Sequence, residues 1–348
     1  MKKEMNRRES IKSVPIGSAV LELGNAVFHK PLEALASGKY DIGQCKNVSI
    51  KCISEPTMHD LKKLLAEIEA GEGPQESQRV KLFDPQNALG NCALIDVELL
   101  DASHHKFLLD TGWNSYYMDQ AFKREGIDKM LTDSELEFLL ISHECPDHFC
   151  GLEITLKYKP DIKIIIPSTF NPEGMHFVYG GTFNGWDAAN RISHQGELIK
   201  LALGTINKLY PGVAAVNFDC RPKCSTRGEQ SLYFNVKDKG MVLVTGCCHQ
   251  STITFADFAI GKIKDGDKMY GIYGGLHIAP FGTIDPEREY IIKEMGKYKF
   301  KKIACNHCTG LPAVERMIQL GYPVFRGTAR FGSRSDLYIG NGDEVFFD

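Results

Sequence analysis

The sequence predicts an α/β fold, because short apolar runs of strand length alternate with segments of helical period along the chain. In addition, four of the apolar runs lead directly into loops that carry a histidine. Strand ends that converge on one edge are where α/β folds build sites, since a rigid sheet positions side chains that the loops then expose. At 348 residues the chain exceeds an average domain. Sandwiches and barrels of this class still reach that size as one unit. One catalytic domain over residues 46–348, preceded by an N-terminal extension over 1–45, is therefore expected.

Taken in order, Asn47–Ser54 alternates apolar and polar residues as a half-buried strand does. Residues 58–70 read as a helix, with Leu61, Leu64, Leu65 and Ile68 at i, i+3, i+4, i+7 spacing, and Gly71-Glu72-Gly73-Pro74 ends it. Residues 92–100 and 106–110 read as a hairpin joined by Asp101-Ala102-Ser103-His104. Residues 137–142 form a short apolar strand that delivers a histidine loop, 149–158 continue as a helix, and 163–166 are another buried strand. The second half repeats the mixture, with strands at 232–235, 241–245, 270–273 and 302–304 and helices at 286–297 and 312–320. The last three strands run into His249, His277 and His307. No repeat of fixed 20–50 residue period, low-complexity tract or long linker is apparent.

A hydrophobic fraction of 43%, a charged fraction of 24% and a formal charge of −3 are ordinary for a soluble globular protein and give no sign of a nucleic-acid binder. No stretch approaches the roughly 20 apolar residues of a membrane helix. A small-molecule substrate is the expected partner, and composition leaves the oligomeric state open. Asn6-Arg7-Arg8-Glu9-Ser10-Ile11-Lys12 looks like a twin-arginine export signal, with Ala34-Leu35-Ala36 as a candidate cleavage site. Against that, Glu22 interrupts the apolar run. The expectation is a cytoplasmic location, with twin-arginine export to the periplasm or cell exterior as the alternative.

Eleven cysteines do not make the framework of a small secreted domain. Several stand beside histidines, as in Cys247-Cys248-His249 and Cys305-Asn306-His307-Cys308, which points to metal or thiol chemistry in a reducing compartment. Cys45, Cys52 and Cys92 have no such neighbour and read as buried free thiols. The densest cluster is His143-Glu144-Cys145-Pro146-Asp147-His148, four candidate ligands within six residues. In an extended turn alternate residues point the same way. His143 and Cys145 could then grip one ion while Asp147 and His148 reach a second about 3.5–4 Å away, as in two-metal sites.

Leu108-Leu109-Asp110-Thr111-Gly112, followed 33 residues after Asp110 by His143-x-Cys145-x-Asp147-His148, resembles the metallo-β-lactamase fold superfamily. That superfamily carries an L-D-T-G turn and then H-x-H-x-D-H. Thr245-Gly246-Cys247-Cys248-His249, Gly274-Gly275-Leu276-His277 and His307-Cys308-Thr309-Gly310 look more like its ribofuranosylaminobenzene 5′-phosphate synthase-like, or dihydropteroate synthase-related, subgroup. There the segments read T-G-C-S-H, G-G-F-H and H-C-T-G. The resemblance covers roughly residues 90–320 and implies an αββα sandwich of two mixed β-sheets flanked by helices. It also implies that His143, Asp147, His148, His249 and His307 ligate metal, and that Asp110 orients the ligand loop by hydrogen bonds. His277 is a ligand, a substrate-binding group or a support for the ligands. Motifs of this kind are poor guides to substrate, since one scaffold hosts many chemistries.

Two residues depart from the signature. Cys145 replaces its second histidine, and a thiolate there would favour zinc or iron. Cys247 stands where many members have a bridging aspartate. The cofactor implied is one or two divalent ions, zinc first, with iron or manganese as alternatives. Cys248 and Cys308 are expected to pack behind the histidines. Metal-assisted hydrolysis is the leading expectation, with Asp147, His249 and His277 as the catalytic groups and Asp147 holding the nucleophilic water. The alternatives are an iron-dependent redox enzyme, a pterin-related synthase and a non-enzymatic metal-binding protein. For substrate, Arg221, Lys223 and Arg227 could receive a phosphate or carboxylate, and Trp113 and Trp186-Asp187 read either as an apolar wall or as core.

Overall fold

The computed structural model describes residues 38–55, 90–183, 186–187, 192–219, 227–280 and 284–348, together with a two-residue ladder between Glu22–Leu23 and Ala26–Val27. The twin-arginine segment, the expected helix over 58–70 and the basic pair Arg221 and Lys223 lie outside the described residues.

Thirteen longer strands build two mixed sheets. The first holds seven: β1 (Asn47–Ser54), β2 (Cys92–Glu98), β3 (His104–Leu109), β4 (Phe138–Leu140), β5 (Lys163–Pro167), β6 (Leu198–Leu201) and the C-terminal β13 (Glu344–Phe347), in the order β6-β5-β4-β3-β2-β1-β13. β3 to β6 pair in parallel, and the remaining pairs are antiparallel. The second sheet runs in sequence order through β7 (Ile206–Tyr210), β8 (Val213–Phe218), β9 (Glu229–Val236), β10 (Gly240–Thr245), β11 (Met269–Gly275) and β12 (Lys302–Asn306). Its first four strands are antiparallel, whereas β10, β11 and β12 are parallel and therefore end along one edge.

Three apolar clusters fix the layering. One lies between the sheets, where Ile50, Ile95, Phe107 and Leu140 of the first meet Leu232, Phe234 and Val244 of the second. A second packs the first sheet against α1 (Ser115–Glu125), α2 (Ile127–Thr132), α4 (Leu152–Tyr158) and α5 (Pro172–Val178) through Phe122, Leu131, Leu156 and Phe177. The third packs the second sheet against α6 (Ser251–Lys262), α7 (Pro286–Met295) and α8 (Leu311–Gln319) through Phe255, Ile292 and Val314. The result is the four-layer αββα sandwich that the resemblance implied. At the site edge Gln230, fully buried, ties the sheets together: its backbone N–H donates to Ser142 O at 2.8 Å and its amide to Ile165 O at 3.2 Å.

Local chemistry sets the element ends. Asn114 and Asn171 accept N-terminal N–H groups of α1 and α5, Asp285 does so for α7, and Pro286 opens that helix. The hairpin β2–β3 forms as expected, although His104 belongs to the strand and Ala102 supplies the left-handed turn residue at φ 66°. The helix expected over 149–158 is two pieces, α3 (Pro146–Phe149) and α4, because Cys150-Gly151 separates them. A side chain at Gly151 would stand 2.0 Å from Thr111 O, so the break lets the ligand loop pack directly on the Asp110 turn. Residues 40–45, assigned by sequence to the extension, bond to α6 and the second sheet: Tyr40 N–H donates to Lys262 O at the end of α6 at 2.7 Å and Cys45 N–H to Asn235 O of β9 at 3.0 Å.

Candidate metal centre

The parallel strands deliver every histidine of the site to one edge of the sandwich. β4 runs into 143–148, β10 into 247–249, β11 into His277 and β12 into 307–308. His143 and His148 have ring centroids 4.2 Å apart, His143 and His249 4.8 Å, His148 and His307 4.8 Å, and His249 and His277 4.6 Å. Groups drawn from both sheets thus share one pocket floor.

Candidate ligand atoms fall into overlapping triads whose members lie within 4.8 Å of one another. His143, Cys145 and His249 form one, and Asp147, His148 and His307 another. Cys247 lies between them, grouping with His143 and His148, with His249 and His277, and with His307 and Cys308. It therefore lies within reach of members of both. In the second triad, His148 Nε2 and His307 Nε2 face each other at 3.2 Å, and Asp147 Oδ2 stands 3.3 Å from His307 Nε2.

Whether these residues fit an ion can be judged from their unused valences. His143 Nε2 is buried and has no hydrogen-bond partner, although its Nδ1 meets Ser142 Oγ at 2.9 Å. Burial, reinforced by His148 and His249, holds His143 well below the usual imidazole range, so its ring stays neutral with a lone pair directed inward. Burial acts to raise the Asp147 carboxyl, but His148 and His307 outweigh it and keep it ionised. For His307, burial pulls down while Asp147 and Cys308 push up, to about 9. A proton held between Asp147 and His307 marks a spot that favours positive charge. Neutral nitrogen, carboxylate and sulfur donors around inward lone pairs suit a divalent ion of borderline softness.

The supports are three buried carboxylates. Asp110 accepts from Ser142 N–H at 2.6 Å, Ser142 Oγ at 2.8 Å and Asn91 Nδ2 at 3.1 Å, and meets His148 Nδ1 at 2.7 Å. Glu229 accepts from the backbone N–H groups of Cys247, Cys248 and His249 and meets His249 Nδ1 at 3.1 Å. Burial acts to raise Glu229, and His249 overrides it, so this carboxyl titrates below the usual range. Glu55 accepts from His307 N–H at 2.8 Å and Ser333 Oγ at 3.3 Å, and its burial pushes it up to about 8. Sequence reasoning did not find Glu229 or Glu55. The one available signal was an acid standing at the start or end of an otherwise apolar strand.

Other expected residues distribute as follows. His277 sits half-buried at the rim with Nδ1 3.3 Å from Cys247 Sγ. Cys248 packs into the helix-side core of the second sheet, as expected. Cys308 does not pack behind the histidines: its Sγ lies 3.1 Å from Cys247 Sγ, because the turn after β12 swings it into the pocket. Each of the two cysteines changes the other. Burial and Cys308 push the Cys247 thiol up, while Cys247 and His277 overcome burial to pull Cys308 down. Trp113 packs in the core between the first sheet and its helices, so core is its reading among the two. Arg227 is exposed and clamped by Asp219 at 2.9 and 3.0 Å. Nine cysteines among the described residues are buried and outside any disulfide, including Cys45, Cys52 and Cys92.

Fold and pocket together define an αββα sandwich with a histidine, cysteine and aspartate centre at its edge, and the chain resembles proteins of the metallo-β-lactamase fold. In sequence it is 27% identical over 216 residues to the 7,8-dihydropterin-6-methyl-4-(β-D-ribofuranosyl)-aminobenzene-5′-phosphate synthase of Methanocaldococcus jannaschii, covering 53% of this chain and 69% of that protein. Among solved structures it is similar to a quorum-quenching N-acyl homoserine lactone lactonase (16% identity, 85% of this chain and 98% of that one, TM-score 0.35). It is also similar to an N-acyl homoserine lactone hydrolase with N-hexanoyl-L-homoserine at its catalytic metal centre (14%, 81% and 92%, TM-score 0.32). A metallo-β-lactamase variant from Cronobacter sakazakii aligns at 12% identity over 44% of this chain and 55% of that one, with a TM-score of 0.30. No family profile matches the chain. No helix among the described residues is long and apolar enough to cross a membrane.

Proposed function

We propose that the chain is a metal-dependent hydrolase acting on a small molecule. The observation that carries this reading is the pair of ligand triads joined by Cys247, with His143 Nε2 buried and unpartnered between them. His143, Cys145 and His249 would hold one divalent ion and Asp147, His148 and His307 a second, with Cys247 shared. Zinc suits the nitrogen and sulfur donors best. A divalent ion held by these residues would lower the pKa of a bound water and so supply a nucleophile near neutral pH.

The chain's own residues complete the chemistry. Asp147, ionised in the pocket, accepts a hydrogen bond from the attacking water at Oδ2 and fixes its direction. His249, held by Glu229, keeps its ring in one orientation. His277, at the rim, is the group to donate a hydrogen bond to charge developing on the substrate. Arg221 and Lys223 are the candidates for an anionic substituent; Arg227, already engaged by Asp219, is less available.

A second reading is favoured by the Methanocaldococcus relative, whose name describes joining a dihydropterin-6-methyl group to an aminobenzene ribofuranosyl phosphate. The same pocket would then polarise the leaving group of that joining reaction rather than water. Elemental analysis of full-length protein prepared without oxygen, followed by turnover of phosphodiesters, lactones and the pterin pair, separates the readings. Zinc or manganese with ester or lactone turnover, abolished in His143→Ala and Asp147→Ala while the fold is retained, is the expected result. Stoichiometric iron with visible absorption would move the reading to redox chemistry. Full activity in both variants would remove every metal-enzyme reading.

A further inference from the structure

β10 and β12 are not neighbours, because β11 runs between them. Cys247 follows β10 and Cys308 follows β12, yet their sulfurs lie 3.1 Å apart. They meet past the end of β11, which finishes in Gly274 and Gly275. A methyl group on Gly275 would stand 2.7 Å from Cys308 Sγ and 2.6 Å from Gly246 O, closer than such atoms can approach. The sulfur contact therefore exists because the intervening strand ends without a side chain. The adjacent Cys248 takes no part, with its Sγ 3.8 Å from Thr252 Oγ1.

A cysteine pair at this place can do two things, and distance bears on both. Two thiolates bound at about 2.3 Å to one tetrahedral ion stand roughly 3.8 Å apart. The observed 3.1 Å is well inside that and inside ordinary contact of two sulfurs. A disulfide at about 2.05 Å needs a further approach of roughly 1 Å. The pair thus stands about 0.7 Å inside the spacing of joint ligation and about 1 Å outside a bond, so the two sulfurs are in direct contact, the arrangement from which a disulfide forms. Cys247 is also the residue shared among the ligand triads, so what happens to its sulfur bears on the whole centre.

We propose that Cys247 and Cys308 are a reversible oxidation site, which hydrogen peroxide converts to a disulfide, withdrawing Cys247 from the bridging position. One sulfur attacks peroxide, breaking the O–O bond to give a sulfenic acid and water. The second sulfur then attacks the sulfenic sulfur, so that S–S forms, S–O breaks and a second water leaves. In sum the two thiols lose two electrons and two protons and one peroxide becomes two waters. A small dithiol reverses it by exchange. Peroxide is small enough for a pair whose residues are only 4% and 2% exposed. The consequence for metal rests on the proposed function; the thiol chemistry does not.

The test uses reduced full-length protein, metal-free and zinc-loaded, titrated with hydrogen peroxide, capped with a maleimide and mapped by peptide mass spectrometry. The expected result is a linked peptide pair containing Cys247 and Cys308, two mass units lighter than the free thiols and restored by dithiothreitol. The buried thiols elsewhere in the chain should remain reduced. Zinc-loaded protein should form the link at least tenfold more slowly, and a chelating dye should register zinc released in step with it. Cys308→Ser, with Cys308→Ala as a second variant, should form no link and keep its zinc under the same peroxide. Sulfinic acid at Cys247 without the link, or zinc loss from both variants at the wild-type rate, overturns the proposal. A link formed in protein that never holds zinc refutes the metal centre and leaves the dithiol standing; zinc bound with no link refutes the dithiol alone.

Discussion

The two halves of the candidate centre are built by opposite routes. In the first, four candidate ligands sit on one loop of six residues, and a single acid, Asp110, holds that loop through Ser142 and His148. In the second, His249, His277 and His307 arrive from three separate strand ends, and the supports are separate too: Glu229 for the 247–249 turn and Glu55 for His307. The second half also carries more strained backbone, with left-handed φ at Cys248 (61°), His277 (46°) and His307 (48°), against Asp110 (61°) in the first. Such conformations cost about 1–2 kcal/mol for ordinary residues and persist only where neighbours over-determine them. A compact motif concentrates its dependence on one residue. A dispersed one spreads it, so damage to any one arm should stay local.

The sharpest way to break that contrast is Asp110→Ala. The change leaves the Ser142 N–H and hydroxyl, the Asn91 amide and His148 Nδ1 without their shared acceptor in a fully buried site. Removing one member of a buried, charge-assisted network costs about 3–5 kcal/mol, and denaturant unfolding should show a loss of that order together with loss of metal. A loss under about 1 kcal/mol would mean that the loop is held by its packing against the Asp110 turn at Gly151, and that the two halves do not differ in the way described.

This contrast also explains what could be seen in the sequence. The first half was legible because its ligands are contiguous and its acid lies in the Leu108–Gly112 turn, so pattern alone connects them. His249 and His307 were legible as histidines at strand ends. Glu229 and Glu55 were not, since an acid before an apolar run reads as a solvated strand end, and only the approach of β12 to residue 55 buries it. Cys308 was misplaced for a similar reason. Its route to Cys247 depends on Gly275 lacking a side chain on the strand between, a relation across three strands that no local pattern encodes. Helices α1 and α6 escaped notice because several of their buried positions are filled by Ala, Tyr and Thr rather than by an aliphatic stripe, and α2 because six residues are too few to show a helical period. The strands β6 to β8 escaped as well, being short runs with Lys or Asn inside them.

Glu229→Gln sharpens the comparison from the other side. The glutamine keeps the volume but offers an amide N–H where His249 and three backbone N–H groups all donate. Changes to such supporting groups typically lower metal affinity 10–100-fold. The loss should fall on the ion at His143, Cys145 and His249, with the ion at Asp147, His148 and His307 retained. Competition with a graded chelator, read as stoichiometry, checks this. Equal loss of both would show that the centre behaves as one unit.

Near pH 5 Glu55→Gln should have the smallest effect, and its reason is electrostatic. Burial outweighs the opposing His307 and the hydrogen bonds this carboxyl accepts and holds it at about 8 against an ordinary 4.5, so near pH 5 it keeps its proton and an amide is a close mimic. The remaining difference is one hydrogen bond in quality, about 1 kcal/mol or less. The sign with pH follows from proton binding. Between about 4.5 and about 8 the folded chain holds a proton on Glu55 that the unfolded chain has released, so the stability of metal-free protein falls as pH rises through that window. Glutamine cannot titrate, so the variant should match wild type near pH 5 and become progressively the more stable of the two as pH approaches 8. Parallel unfolding curves at pH 5, 6.5 and 8 measure that crossover. A variant that loses ground as pH rises would mean that Glu55 acts as a charged carboxylate towards the His307 arm, and would give that arm the same dependence on one buried acid that Asp110 imposes on the first half.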